Sequence, residues 1–174
     1  MKYRLAIPVS LCIATLGSMG TIGQAQEMRT AKSAAAFAQL SSLVGEWKGV
    51  DDGTDFTVTY TLVASGSTLM EEFRPAGGSP MMTMFSVDGD RLLATHYCAA
   101  LNQPNMSTQA IRDPTAKSIA FTLVRVTGMK SPRDWHNTAL EVFFDDKDHV
   151  TQRWTYLYNG KSGSKIFHFT RKLD

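Results

Sequence analysis

The stretch Leu43-Val44-Gly45-Glu46-Trp47-Lys48-Gly49 lies where an Ala-rich segment gives way to strand-like sequence. Tryptophan between two glycines lets one large ring close the end of a sheet, because the glycines allow the backbone to pass close by. The chain after this stretch has the pattern of short strands separated by turns. The sequence therefore predicts an all-β fold that closes around Trp47.

Residues 1–25 have the three parts of a secretory signal peptide. A short basic head precedes the apolar run Leu5–Gly17, and Gly23-Gln24-Ala25 offers small residues at a cleavage site. A membrane helix needs about 20 apolar residues, and this run is shorter. We therefore predict cleavage after Ala25, a periplasmic or secreted protein with no stable membrane span, and one domain over residues 26–174.

The charge of the predicted mature chain is balanced. Cleavage removes Lys2, Arg4 and no acids, which leaves 16 basic and 16 acidic side chains. Without a basic stripe, binding to nucleic acid is not expected. Of the two cysteines only Cys98 remains, so an internal disulfide is impossible and the core must supply the stability. The 149 residues that remain are enough for one such core.

One short helix and ten strands are predicted. Helical spacing of apolar residues indicates the helix over Thr30–Ser42. Asp88-Gly89, between two alternating apolar runs, is the clearest hairpin signal. The strands are predicted over Trp47–Asp51, Phe56–Ala64, Thr68–Arg74, Met81–Val87, Arg91–Ala99, Met106–Arg112, Ser118–Thr127, Thr138–Asp145, Val150–Tyr158 and Lys165–Lys172.

The connections between these strands are mostly too short for parallel crossovers, which indicates an antiparallel meander. A meander has two exposed edges, and closing it into a barrel removes both. The alternative is a two-sheet sandwich, which needs longer connections between its sheets. We therefore predict an all-β, ten-stranded antiparallel up-and-down β-barrel with a short N-terminal helix.

Gly45-Glu46-Trp47 after a short helix, the meander, and Arg171 near the chain end together resemble the calycin superfamily. That group includes lipocalins, fatty-acid-binding proteins and nitrobindin-like barrels. The resemblance implies that Trp47 packs at the closed end against Arg171, a cation–π contact that contributes roughly 0.5–2 kcal/mol. It also implies a lipocalin-like exported bacterial barrel. Nitrobindin-like members bind haem through a histidine, so haem binding is one alternative, and the cofactor is left unknown.

The Asp88-Gly89 turn decides which side chains of its two strands share a face. The more apolar face is assigned to the interior, and it includes Met81, Phe85, His96 and Cys98. His96 and Cys98 could contact a ligand, present a soft-metal or haem ligand, or act as base and nucleophile. The interpretation that the residue types favour is that both are ordinary core residues. A structural zinc site needs four ligands and a second cysteine is lacking, so no metal site is predicted.

Arg125 is predicted to face inward, because alternate residues of its strand, including Phe121 and Leu123, are apolar. A buried arginine needs an anion, and a ligand carboxylate would supply one, as in fatty-acid-binding relatives. The alternatives are a salt bridge to Glu71 or Glu72, or exposure near the strand end.

Three further residues complete the predicted ligand-binding set. Tyr60 and Trp154 offer flat walls with polar edges, the usual lining of a small-molecule pocket. His168 lies in the interior if Ile166 faces inward. It is exposed if the neighbouring Phe167 and Phe169 face inward instead, an arrangement that would bury more apolar area.

The leading hypothesis is an exported lipocalin-like barrel that binds a small apolar or amphipathic ligand without catalysis. The alternative is a haem-binding or enzymatic barrel using His96 with Cys98, Arg125 or His168. A third reading is a filled barrel that acts through protein contacts on its rim. Enzyme classes that depend on a nucleophile elbow, a phosphate loop or a dinucleotide fingerprint are disfavoured, because the sequence lacks those motifs.

Overall fold

The structure is a computed structural model that describes residues 19–173, with side chains from residue 23 onward. In these residues one α-helix precedes ten strands. The helix is α1 (Met19–Ser41), and the strands are β1 (Gly45–Asp51), β2 (Thr54–Val63), β3 (Thr68–Pro75), β4 (Met81–Asp88), β5 (Arg91–Tyr97), β6 (Gln103–Ser107), β7 (Ser118–Thr127), β8 (His136–Phe144), β9 (His149–Tyr158) and β10 (Lys161–Arg171).

The ten strands form a closed antiparallel barrel, which confirms the predicted fold class. Each strand pairs with the next along the chain, and β1 closes the barrel by pairing with β10, where Trp47 lies opposite Arg171. Closure gives both terminal strands a partner, so that neither exposes a row of unpaired backbone groups.

All the predicted elements are present, and their bounds differ from the structure most at four places. Strand β5 ends at Tyr97 instead of Ala99, and β10 begins at Lys161 instead of Lys165. The other two places are the start of the helix and the sixth strand. The helix begins before Thr30, at Met19, and therefore includes the last residues of the predicted signal peptide. Residues 1–18 of that segment lie outside the described residues, so cleavage remains a prediction. No helix among the described residues combines the length and hydropathy of a membrane span.

The sixth strand was placed too late, over Met106–Arg112. The structure begins it at Gln103, although Pro104 indicated a break. Pro104 pairs with Val126 of β7, but the pairing of β6 with β5 begins only at Asn105. A proline is tolerated there because its missing N–H faces no partner strand.

One end of the barrel is closed around Trp47. Its indole N–H donates to the Leu43 carbonyl at 2.7 Å, and the guanidinium of Arg171 lies 4.2 Å from the ring centroid. The predicted contact between Trp47 and Arg171 is therefore present. Helix α1 covers the same end, where Leu40 is fully buried and the Ser33 hydroxyl donates to the Gly89 carbonyl at 2.6 Å.

The half of the barrel next to this end is filled. Phe85 and Phe121 lie in its centre with ring centroids 5.6 Å apart, and both are completely buried. Leu92 and Leu140 are buried on the same side of the sheet. Interior space is therefore found towards the opposite end, where β1 and β2, β3 and β4, and β9 and β10 are joined.

Candidate functional site

A cavity of about 460 Å³ opens at the end of the barrel opposite Trp47. Its volume falls within the range of roughly 300–1,000 Å³ that is usual for small-molecule sites. Its lining combines aromatic walls, a polar floor and a charged mouth. The lining residues are Asp51, Thr54, Asp55, Phe56, Glu71, Phe73, Pro75, Met81, His96, Trp135, Asn137, Gln152, Trp154, Tyr156, Lys165 and Phe167.

Three phenylalanines form one wall of the cavity. The rings of Phe56 and Phe73 are stacked with centroids 4.9 Å apart, and Phe167 meets Phe73 edge-on at 5.3 Å. Gly49 makes room for this wall, because a Cβ at that position would overlap the ring of Phe56 and the backbone at His168. The glycine is therefore required by close packing.

The facing wall carries the other aromatic side chains. Trp135 and Tyr156 lie with ring centroids 5.5 Å apart near the mouth. Deeper in the cavity, Trp154 packs against His96 with a centroid distance of 4.7 Å. The indole N–H of Trp154 donates to the Gln152 side-chain oxygen at 2.8 Å, which holds the ring in place.

The floor of the cavity is a buried carboxyl group with three hydrogen-bond donors. Glu71 is 2% exposed and accepts from the Tyr60 hydroxyl at 2.7 Å, from the Thr83 hydroxyl at 3.2 Å and from the Gln152 amide. The Gln152 amide also donates to the Tyr60 hydroxyl at 2.9 Å. These residues belong to β2, β3, β4 and β9, so only closure of the barrel brings them together.

Thr83 connects this floor to His96. Its hydroxyl lies 3.0 Å from Nδ1 of His96, which is 5% exposed. Nε2, on the other edge of the ring, has no hydrogen-bond partner among the described residues and is not sealed from solvent. Since His96 lines the cavity, Nε2 is a polar atom available to a ligand.

Burial determines the ionisation of this floor. It lowers the pKa of His96 from 6.5 to about 4, so the imidazole is neutral near neutral pH. Burial raises the pKa of Glu71 even though three hydrogen bonds act in the opposite direction. Burial, followed by the charge of Glu71, also raises the pKa of Tyr60 well above its usual value. The Tyr60 hydroxyl therefore stays protonated and remains a donor to Glu71.

The mouth of the cavity is acidic. Asp51, Asp55 and Lys165 lie there, and the ammonium of Lys165 is 2.6 Å from Asp51 and 3.4 Å from Asp52. The lysine is therefore already paired with carboxylates of the β1–β2 turn. Asp55 is exposed and makes no ion pair with another described residue.

Four of the eight predicted ligand-binding residues are in this site or directly beneath it. His96, Met81 and Trp154 line the cavity. Tyr60 lies beneath it as a donor to Glu71, and Phe85 lies deeper in the filled half of the barrel.

The predicted inward position of Arg125 is wrong. The pairing of β6 and β7 shifts between Asn105, which is opposite Arg125, and Met106, which is opposite Leu123. The extra residue reverses the alternation, so that Leu123 faces inward and Arg125 is exposed on the outer surface.

Cys98 and His168 are also outside the cavity. Strand β5 ends at Tyr97, and Cys98 belongs to the following turn, where its sulfur accepts from the Ala100 N–H at 3.4 Å. His168 is exposed and lies 3.0 Å from the Thr151 hydroxyl, while Phe169 is buried. The second of the two alternatives for β10 is therefore the one observed.

Glu71 and Gln152 are the main site residues that sequence reasoning missed. Glu71 was considered only as a partner of Arg125. The available signal was its position between Leu69 and Phe73 on one face of a strand, since a charge flanked by apolar residues on its own face is a candidate for burial. Gln152, two residues before Trp154 on the same face, carried a similar signal.

Comparisons with known proteins agree with the fold and go no further. No family model matches the chain, and no curated protein matches it. Among solved structures, Rv2717c from M. tuberculosis matches with a TM-score of 0.53 and 14% identity over 79% of this chain and 98% of that one. A DUF3598-family protein of unknown function from Nostoc punctiforme matches with a TM-score of 0.50 and 13% identity over 76% of this chain.

The likeness is one of fold. This chain spans 48% of the Nostoc punctiforme protein, so about half of that protein has no counterpart in the match. Treponema pallidum Tp0751 (Pallilysin) also matches, with a TM-score of 0.39, 18% identity, and coverage of 84% of this chain and 96% of that one. The two matches with higher scores support the barrel fold, and the resemblance to calycins remains a prediction.

Proposed function

We propose that this chain is an exported lipocalin-like barrel that binds a small apolar or amphipathic ligand without catalysis. The observation that carries the proposal is the cavity of about 460 Å³ with aromatic walls and a buried polar floor. Apolar walls with a few placed polar groups are the usual composition of a ligand site. The contact of Trp47 with Arg171 supports the lipocalin-like assignment.

The alternative is a haem-binding or enzymatic barrel that uses His96. The residues suggested to act with His96 are Cys98, Arg125 and His168, and all three lie outside the cavity. Among the described residues, His96 therefore has no cysteine beside it in the cavity to act as a nucleophile. The polar groups of the floor bond mainly to one another, which favours a binding site over a reactive one.

The proposal is tested by filling the cavity from one side. Met81 lines it, whereas the next residue, Met82, is 38% exposed on the outer face. Met81→Trp adds an indole to the cavity, and Met82→Trp adds the same group outside and serves as the matched control. Uptake of the neutral apolar probe N-phenyl-1-naphthylamine is followed by its fluorescence, with circular dichroism as a check on folding.

Wild type and Met82→Trp should bind the probe with equal affinity. Met81→Trp should bind it at least about tenfold more weakly, because the added ring occupies the ligand's volume. Equal binding by all three proteins would place the probe elsewhere and contradict the proposal. Absence of binding by folded wild type would contradict it as well.

A further inference from the structure

We propose that the cavity selects organic cations, in particular protonated amines carried on an apolar or aromatic body. This inference rests on the proposed function and specifies the charge of the ligand. Three features of the cavity carry it: the balance of charge in the lining, the faces of the aromatic walls, and the direction of the hydrogen bonds in the floor.

The charged residues of the lining favour a cation. Three are acidic, Asp51, Asp55 and Glu71, and one is basic, Lys165. Lys165 is already bound to Asp51 and Asp52. An anionic ligand would therefore meet no unpaired cation among the described lining residues, whereas a cationic ligand would meet a net negative charge.

The aromatic walls favour a cation as well. The negative face of an aromatic ring attracts a cation within about 6 Å of its centroid, and a desolvated site strengthens the attraction. Phe73 on one wall and Trp154 on the other can enclose an ammonium group and its apolar body together. One face of Phe167 already meets the Lys165 ammonium, which lies 5.8 Å from the ring centroid.

The floor offers a hydrogen-bond acceptor. A hydroxyl has one proton, so when Thr83 donates to an ionised Glu71 it must accept from Nδ1–H of His96. The neutral imidazole then carries its lone pair on Nε2, on a ring that lines the cavity. An ammonium N–H can donate to this atom.

The same chain of hydrogen bonds couples the ligand to Glu71. If Glu71 were protonated, it could donate to Thr83, Thr83 would donate to Nδ1, and Nε2–H of His96 would become a donor. A cation therefore stabilises the arrangement in which Glu71 is ionised. Glu71 makes no ion pair with a cation of the described chain, and the ligand would supply the missing charge.

Three ligands of similar shape and different charge test the proposal by isothermal titration calorimetry at neutral pH. They are 2-phenylethylammonium, the neutral 2-phenylethanol and the anionic 3-phenylpropionate. Wild type should bind the ammonium at least about tenfold more tightly than the propionate, with the alcohol between them. This comparison uses the unmodified protein and therefore decides the charge preference on its own.

A matched pair of variants tests the role of Glu71. Glu71→Gln removes the buried charge, and Glu72→Gln removes the neighbouring charge, which lies on the outer face and pairs with Arg74. Glu71→Gln should lower the ratio of the affinity for 2-phenylethylammonium to the affinity for 2-phenylethanol to near one. Glu72→Gln should bind all three ligands as wild type does. Circular dichroism and detectable binding of the alcohol check that the variant is folded and still has a cavity.

The outcomes separate the two proposals. Binding of the propionate or the alcohol as tightly as the ammonium would overturn the cation preference and leave ligand binding standing. Failure of the three ligands and of N-phenyl-1-naphthylamine to bind folded wild type would overturn both. A preference for the ammonium that Glu71→Gln leaves intact would overturn the role given to Glu71.

Discussion

Replacing His96 with glutamine should remove a large part of the barrel's loss of stability on mild acidification. Burial lowers the pKa of His96 from 6.5 to about 4. The unfolded chain therefore binds a proton at a higher pH than the native state does. Stability contributed by the neutral imidazole is fully present above about pH 6.5 and is lost as the pH falls towards 4, because the unfolded state gains the proton first.

The magnitude follows from the same two values. One pKa unit corresponds to about 1.4 kcal/mol. His96 should therefore lower the free energy of unfolding by about 2 kcal/mol between pH 7 and pH 5, and by about 3 kcal/mol near pH 4. Glutamine has no proton to gain in this range and can still bond to Thr83. We expect the His96→Gln variant to lack this part of the pH dependence.

Glu71 changes the stability with pH in the opposite direction. Its pKa is raised by burial, so the native state keeps a proton that the unfolded state releases, and this contribution to stability is lost as the pH rises above about 4.5. Wild type and His96→Gln share this effect. Subtracting one pH profile from the other therefore isolates His96.

The assay is urea unfolding followed by tryptophan fluorescence at pH steps from 7 to 4. The control is His168→Gln, which removes an exposed imidazole from the outer face of β10. The difference in unfolding free energy between wild type and His96→Gln should change by about 2 kcal/mol from pH 7 to pH 5, and His168→Gln should follow wild type. A constant difference across this range would refute the burial of a neutral His96.

Two further predictions concern how the barrel is closed and how its wall is built. Arg171→Gln should lower the free energy of unfolding by about 1–3 kcal/mol, because it removes the cation–π contact with Trp47 and the hydrogen bonds to the Val44 and Ser42 carbonyls. The control is Lys172→Gln, which removes an exposed ion pair with Glu46 and should lower the free energy of unfolding by at most about 1 kcal/mol. If the two variants lose the same free energy in urea unfolding, the role given to Arg171 is contradicted. Gly49→Ala should destabilise the barrel by about 1–3 kcal/mol and weaken probe binding, because the added methyl displaces the ring of Phe56. Unchanged binding and stability would show that the Phe56 wall can move freely.

The barrel could be predicted from the sequence because its signals are local. Alternation along each strand and a turn such as Asp88-Gly89 are encoded within a few residues. These local features do not depend on knowing how distant strands face one another. The contact of Trp47 with Arg171 joins the first and last strands, and it was expected only from the resemblance to calycins.

The site was predicted only in part because its key features depend on closure. Arg125 was misassigned because the bulge in β7 reverses an alternation that is regular up to Leu123. Cys98 was misassigned because β5 ends at Tyr97, two residues before its predicted end at Ala99. Glu71 was missed because charged residues are seldom fully buried, and the donors that make its burial tolerable come from other strands.

A crystal structure of the protein soaked with 2-phenylethylammonium tests the central claim most directly, because it shows both the cavity and its contents. The account predicts the phenyl ring between Phe73 and Trp154 and the ammonium within hydrogen-bond distance of Nε2 of His96. An interior in which Phe56, Phe73 and Phe167 fill the space and leave no room for a ligand would contradict it.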